Sequence, residues 1–374
     1  MLKTYEFDIE IPQDVLRLKE VFTQANYDLF LVGGCVRDSI LGKQPKDFDL
    51  VTNALPDDVV SILGDFRLEL IGKAFGIVSV ITRLGTYEIA TYRTDGEYTD
   101  GRRPDSVKFA TIEEDAERRD LTINALYYDM DKKHILDYVG GFDDLENKVI
   151  RTVGDPELRF KEDKLRKLRT IRFASRFDSQ PDAKTYLALK NNPNLNGVSP
   201  ERIYTEFWSG YRSAVETSDY LNILKELRFY RWIFPGMKIT DIIIVAKKPL
   251  ITIALMLRQN KVHEVQTCLK NAKYTRDFIR YISFFLSLQQ LSIDTAFSLK
   301  RNQIKFDIPD DDCYEFMTFA GVDNTLRNAF VNYELSVDAQ DLSLMENIEG
   351  QQLGKRIAEI ETSFFKEIYN KNLV

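Results

Sequence analysis

The stretch Leu31 to Asp49, LVGGCVRDSILGKQPKDFD, limits what this chain can fold into more than any other part of it. A short apolar run, Leu29 to Val32, reads as a buried strand. Gly33 and Gly34 end it, and Cys35 to Leu41 continues at helical spacing. Neither glycine has a Cβ, so backbone N–H groups there can approach an oxyanion closely, and the helix N-terminus adds a partial positive charge. The unit therefore favours a bound phosphate. Downstream, Lys46-Asp47-Phe48-Asp49-Leu50 sets two carboxylates two residues apart. On an extended strand both would share one face while Phe48 and Leu50 point into the core. Two parallel acids beside a phosphate cradle have the make-up of a magnesium site. A glycine pair before a helix is by itself a common turn, and a lone Asp-x-Asp is more often a loop or a cap. Their union in one string is what makes the signal specific.

That string resembles the first motif of the polymerase-beta-like nucleotidyltransferases, in particular the class II branch of tRNA nucleotidyltransferases and bacterial poly(A) polymerases, which reads GGxVRD followed by DxD. Gly33, Gly34, Val36, Arg37, Asp38, Asp47 and Asp49 match each position. The resemblance implies an α+β fold: a nucleotidyltransferase head with a mixed sheet and helices, then an all-helical neck, body and tail. The expected boundaries are 1–150 for the head, 151–212 for a neck that recognises the base, 213–305 for the body and 306–374 for a tRNA-binding tail.

Length and charge agree with several domains. At 374 residues the chain is long for a single core, and its 44% hydrophobic content is ordinary for a globular protein. A net charge of −7 argues against a generally basic nucleic-acid coat, so any RNA binding must use local patches. The acidic start MLKTYEFDIEIPQD lacks the basic and apolar pattern of a secretory peptide, and charges interrupt the apolar runs. A cytoplasmic, monomeric protein without a membrane span is expected. Cys35, Cys268 and Cys313 are too few and scattered for a disulfide framework and read as buried thiols. The two histidines, His134 and His263, have no adjacent His-Asp pair, which excludes a His-Asp metal phosphohydrolase within this chain. Catalysis must rest on carboxylates and arginines.

Ahead of the first motif, Val15, Leu16, Leu18, Val21 and Phe22 mark an amphipathic helix. After it, Pro56 opens another with Asp57 and Asp58 in its first turn. Strands are expected at 66–70, 76–81 and 86–92. Glu88 lies on the last of these, where the resemblance implies a third acid completing the Asp47 and Asp49 pair. The segment Tyr92 to Pro104 has Asp-Gly breakers and little periodicity, and reads as a mobile loop. It resembles the loop that CCA-adding and A-adding enzymes carry and CC-adding enzymes have lost.

Thr111 to Glu114 is a capping box leading into Arg118-Arg119-Asp120-Leu121-Thr122-Ile123-Asn124-Ala125, which matches the family's RRDxTxNA motif. Asp120 and Asn124 can accept from and donate to ribose hydroxyls while Arg119 takes phosphate. Gly140 and Gly141 open a turn read as a hinge between head and neck.

The most informative chemistry lies in Glu162-Asp163-Lys164-Leu165-Arg166, expected on one helix with Asp163 and Arg166 sharing a face. Cytosine and adenine each present an exocyclic amino donor beside an unprotonated ring nitrogen. A carboxylate acceptor next to a guanidinium donor pairs with either, whereas uracil and guanine set acceptor against acceptor and donor against donor. The pair resembles the family's EDxxR element, with Arg169 helping to hold its geometry. Ser199 and Pro200 open a further helix carrying Glu201-Arg202 and Glu206, like the family's ERxxxE motif, with an expected structural role. From Val215 the chain reads as helical, and Lys270, Lys273, Arg276 and Arg280 recur at helical spacing as candidate contacts to the tRNA backbone.

The resemblance implies a tRNA nucleotidyltransferase, foremost a CCA-adding enzyme using CTP, ATP and Mg2+. Asp47 and Asp49 would hold metal, Gly33, Gly34 and Arg37 the phosphates, and Asp163 and Arg166 the base. An A-adding enzyme or a poly(A) polymerase shares these motifs. A catalytically silent RNA-binding module would usually show a damaged acid pair, and both acids are intact.

Overall fold

The computed structural model describes residues 2–96 and 106–373. It divides into two compact units, Met1–Glu216 and Thr217–Val374.

The first unit is built on a mixed sheet whose strands are β1 (Lys3–Glu6), β2 (Phe30–Val32), β3 (Leu50–Thr52), β4 (Arg67–Glu69), β5 (Ile77–Ile81) and β6 (Thr86–Thr91). A short ribbon, β7 (Arg93–Asp95) with β8 (Val107–Phe109), follows, and then β9 (Leu126–Asp129) and β10 (His134–Asp137) rejoin the sheet. The spatial order is β1-β10-β9-β2-β3-β6-β5-β4. Only the β3 to β6 pairing is parallel, which makes the sheet mixed as expected. The edge strand β1 was not legible, because Lys3-Thr4-Tyr5-Glu6 carries little apolar pattern. It is held by the ladder to β10 and by the Tyr5 ring stacked on Phe142 at 3.9 Å.

Helices of this unit are α1 (Gln13–Gln24), α2 (Gly34–Ile40), α3 (Pro56–Ile62), α4 (Ile112–Glu117), α5 (Gly141–Glu146), α6 (Pro156–Glu162), α7 (Arg166–Arg176), α8 (Ala183–Asn191) and α9 (Pro200–Ser213). The face of α1 read from the sequence is buried through Val15, Leu18 and Phe22, which join Leu31, Val36, Leu50 and Ile89 in one core. α4 begins in a complete capping box of Thr111 and Glu114. α7 and α9 pack side by side.

Three local expectations are corrected. Asp47 and Asp49 do not lie within a strand: β3 begins at Leu50, and the Asp49 carbonyl, accepting from Val32 N–H at 3.0 Å, stands just ahead of its first rung. Alternation still holds, with Phe48 packed on the core and both acids exposed. Second, Asp163 and Arg166 do not share one helix. α6 ends at Glu162, Asp163 turns extended at φ −138° and ψ 107°, and its carboxylate accepts from Leu165 N–H at 3.0 Å before α7 starts at Arg166. Third, the Gly140-Gly141 turn is braced. Both oxygens of the buried Asp137 carboxylate accept backbone N–H groups from Val139 to Phe142, and a Cβ on Gly141 would overlap the Thr122 carbonyl oxygen. Close packing requires glycine at position 141, and a φ of +84° favours it at 140.

The second unit is helical throughout its regular structure, as expected from Val215 onward. All three cysteines are buried and free. Among the described residues no helix is long and apolar enough to cross a membrane.

Candidate functional site

The glycine turn sits where three segments meet. Gly33 adopts φ +73°, a region that side chains with a Cβ rarely enter, and a Cβ there would stand 3.4 Å from both Arg119 Nη1 and the Asn124 carbonyl oxygen. Its N–H donates to Leu126 and its carbonyl accepts from Arg37 N–H, so the turn is clamped between β9 and α2. Beside it, the parallel register pairs Leu50 with Ile89, which brings Asp49 and Glu88 alongside each other one residue earlier. The electrostatics agree. Partial burial first, then the charges of Glu88 and Asp47 against the relief from Arg119, push the Asp49 carboxyl above its usual range. Like charges gathered in this way favour a cation between them. Among the described residues no three His, Cys, Asp or Glu side chains close into a metal cage. An open set of carboxylate oxygens is nevertheless the donor chemistry that suits Mg2+, which completes its shell with phosphate oxygens and water.

Behind the turn, four predicted residues form one hydrogen-bonded chain. Arg37 is only 4% exposed and stacks against the rings of Phe173 and Phe177, centroids 5.1 and 5.0 Å away. Its Nε and Nη2 donate to Asp38 Oδ1 and its Nη1 to Asn124 Oδ1. Asn124 Nδ2 donates to Asp120 Oδ1 at 3.1 Å, and Arg169 donates through Nε and Nη2 to Asp120 Oδ2 at 2.9 and 2.8 Å. Burial alone would raise the Asp120 pKa, but Arg169, the Asn124 amide and Arg166 outweigh it and hold the carboxyl well below the usual range. Arg119 is fixed separately by the fully buried Asp115, at 3.2 and 3.0 Å, and by the Tyr127 hydroxyl.

At the break between α6 and α7, Asp163 Oδ2 accepts from Arg202 Nη2 at 2.6 Å, while Arg166 pairs with Glu162 and donates to the Arg159 carbonyl. Glu206 holds Arg172 at 2.5 Å. The Arg202 and Glu206 motif thus braces the segment that carries the base-recognition candidates. Of the loop read at 92–104, residues 97–104, including Glu97, Asp100, Arg102 and Arg103, lie outside the described residues. Its described root is the β7 and β8 ribbon, with Asp95 paired to Arg118.

Sequence reasoning missed a cleft of about 810 Å³ next to the acids. Gly34, Asp47 and Asp49 line one wall, Arg172 and Arg176 of α7 another, and Arg212 of α9 a third. The signal was present: Arg169, Arg172 and Arg176 recur three and four apart and so share a face of α7. In the second unit, Lys270, Lys273, Arg276 and Arg280 all line a groove of about 1080 Å³ formed by the helices Val262–Asn271, Arg276–Leu288 and Ile293–Lys305. These four cations are therefore brought together, although Arg280 also pairs with Asp277 at 3.0 Å.

Comparison with known proteins places these features. Residues 29–151 match the family model described as the poly A polymerase head domain. The CCA-adding enzyme of Ligilactobacillus salivarius is 31% identical across 96% of this chain and 92% of that protein. Poly(A) polymerase I of Salmonella typhi is 36% identical across 60% of this chain, and the match spans about half, 50%, of that protein's length. Among solved structures, the Bacillus stearothermophilus CCA-adding enzyme in complex with CTP superposes with a TM-score of 0.65 at 25% identity, covering 96% of each chain. The Thermotoga maritima CCA-adding enzyme complexed with tRNA gives 0.67 at 18% identity over 99% and 98%, a likeness of fold.

Proposed function

The chain belongs to the family of CCA-adding enzymes and bacterial poly(A) polymerases, and from that premise we propose that it completes tRNA 3′ ends with C, C and A, using CTP and ATP. The observation that carries this reading is the Asp49 and Glu88 register beside Asp47 and the Gly33 turn, which gathers carboxylates against a backbone phosphate cradle. End-to-end likeness to a CCA-adding enzyme, against a partial likeness to poly(A) polymerase I, favours tRNA as the acceptor.

In this reading Asp47 and Asp49, with Glu88 beside them, would hold two Mg2+ ions, which when bound would supply the positive charge that acidifies the RNA 3′-hydroxyl and offsets the triphosphate and pyrophosphate charge. With the Gly33 N–H held by the Leu126 carbonyl, the backbone at Gly34, where α2 begins, is the part of the turn that would receive phosphate oxygens. Arg119, fixed by Asp115, adds a cation, and Asp120 and Asn124 present acceptor and donor to the ribose. Arg37 and Arg169 act from the two ends of the Arg37, Asn124, Asp120 and Arg169 chain to hold that pair in place. Asp163 and Arg166 read the base, each steadied by a partner of opposite charge, Arg202 and Glu162.

Product sequencing tests the proposal directly. The protein is incubated with CTP, ATP, Mg2+ and tRNA ending in the discriminator base, in C, or in CC. Extension of all three to CCA followed by arrest is expected. Extension of only the CC-ended substrate would show an A-adding enzyme, and long adenosine tails a poly(A) polymerase. Arg166→Ala is expected to relax discrimination against UTP and GTP. Equal loss of rate with all four nucleotides would overturn direct base reading.

A further inference from the structure

The cleft beside the acids contains more positive charge than its own acids neutralise, and the surplus is unevenly placed. Arg37 and Arg176 share Asp38, the second at 3.0 Å, and Arg172 is held by Glu206. Lys43, Lys46 and Arg212 form no ion pair among the described residues, and all three are exposed. Lys43 lies over the Phe177 ring at 5.2 Å and Arg212 over Trp208 at 5.8 Å, contacts that locate each cation without discharging it. They come from two separate segments, the connection after α2 and the end of α9, and they flank Asp47 and Asp49 in one cavity.

The position of this cavity decides what it serves. It reaches the acid pair, yet none of Arg119, Asp120, Asn124, Asp163, Arg166 or Arg169 lines it. The cleft therefore meets the acids without any side chain of the ribose- and base-recognition candidates, although Gly34 and Arg37 of the glycine turn line it too. Its volume, about 810 Å³, is that of a pocket for a drug-sized molecule, more than the two distal phosphates of a nucleoside triphosphate need. Ser209 also lines the cleft, with a hydroxyl that can pair with phosphodiester oxygens and ribose hydroxyls alike, while the Thr205 hydroxyl beside it donates to the Glu201 carbonyl.

We infer that Lys43, Lys46 and Arg212 form a clamp for the phosphodiester backbone of the acceptor RNA, bringing its 3′-hydroxyl to Asp47 and Asp49 along a path clear of the ribose- and base-recognition candidates. The inference rests on the nucleotidyl-transfer reading above and adds the second substrate's path to it. Buried, paired Arg37 and Arg172 keep the walls in place, while the unpaired cations supply the attraction. Phosphate contacts of this kind position a nucleic acid without reading its sequence.

The test compares the full-length wild type with the double variant Lys43→Gln, Arg212→Gln, both changes being at exposed side chains, with Lys43→Arg as a charge-retaining control. Affinity for a short single-stranded RNA is measured across salt, and CTP and ATP affinities are measured by calorimetry. RNA binding is expected to weaken about tenfold near 100 mM salt, with the salt slope reduced by roughly 1.4 for two lost phosphate contacts. The KM for RNA should rise at unchanged kcat, nucleotide affinities should stay within about twofold, and Lys43→Arg should behave as wild type. Weakened CTP and ATP binding with RNA binding intact would overturn the clamp and assign the cleft to the triphosphate. A variant indistinguishable from an active wild type would overturn the clamp alone. A wild type that binds nucleotide but neither binds nor extends RNA would overturn the functional reading along with it.

Discussion

Asp120 shows how one carboxylate is tuned for its place. It accepts from Asn124 on one oxygen and from Arg169 on the other, and its pKa is depressed despite burial. A depressed aspartate contributes its full stability above the unfolded-state pKa of about 3.9, and that contribution is lost as pH falls through the lower folded-state value. Asp120→Asn should therefore flatten the acid limb of the stability profile below about pH 4, measured as urea midpoints from pH 6 downward. Curves that run parallel to wild type would remove the linkage. At the acid pair, Asp47→Asn and Asp49→Asn should each cost more activity than the roughly 10- to 100-fold typical of losing an outer-shell partner. Pyrophosphate release in the presence of Mg2+ measures it.

Elements carry the second kind of lesson. The strand, turn and helix around Gly33 was legible because three signals coincide there: an apolar run, a residue needing positive φ and helical spacing. The Thr111 capping box was legible because Thr and Glu three residues apart can each accept the other's backbone N–H. The break at Asp163 was not, because nothing between Pro156 and Arg176 interrupts helical spacing. It is held from outside by Arg202 on the neighbouring α9 and locally by the Leu165 N–H donating to the Asp163 carboxylate. The Gly140-Gly141 turn was read as a hinge, and the structure adds that Gly141 is needed for contact, a use of glycine that looks the same in sequence. Gly141→Ala is expected to destabilise the first unit by about 1–3 kcal/mol, the range for overpacking, as read by chemical denaturation. Lys167 on α7 is 1% exposed and donates to the carbonyls of Asn192 and Asn194, fastening the segment after α8. Burial lowers its pKa to about 8, below the unfolded value near 10.4, so the unfolded chain binds more protons between those values. Stability from this residue should rise as pH climbs through that window, and Lys167→Met should lack the rise.

Across the whole molecule, charge is partitioned. A net charge of −7 coexists with two local cation clusters, one in the cleft of the first unit and one in the groove of the second. The cluster of Lys270, Lys273, Arg276 and Arg280 was readable as a helical stripe, and the structure adds that all four line one groove. Arg172 and Arg176 were readable as one face of α7, but Lys43, Lys46 and Arg212 were unreadable as a set because they come from segments more than 150 residues apart in sequence. Neutralising Lys270 and Lys273 to Gln is expected to weaken tRNA binding at every salt concentration and to lower the salt slope by up to about 0.9 per lost contact with duplex RNA. Addition to a short single-stranded primer should be unchanged.

The Cys35 thiol lies directly behind the Gly33 turn, 2% exposed, bonded to the Val32 carbonyl at 3.3 Å and facing that of Asp49 at 3.9 Å. Its burial raises the pKa to about 11, so in the closed protein it is both hidden and protonated. That makes it a clock. A thiol-alkylating reagent can mark Cys35 only in the moments when β2 and α2 part. The rate of marking, followed by peptide mass spectrometry, would count how often the Gly33 turn opens, and how far added CTP or ATP quiets it.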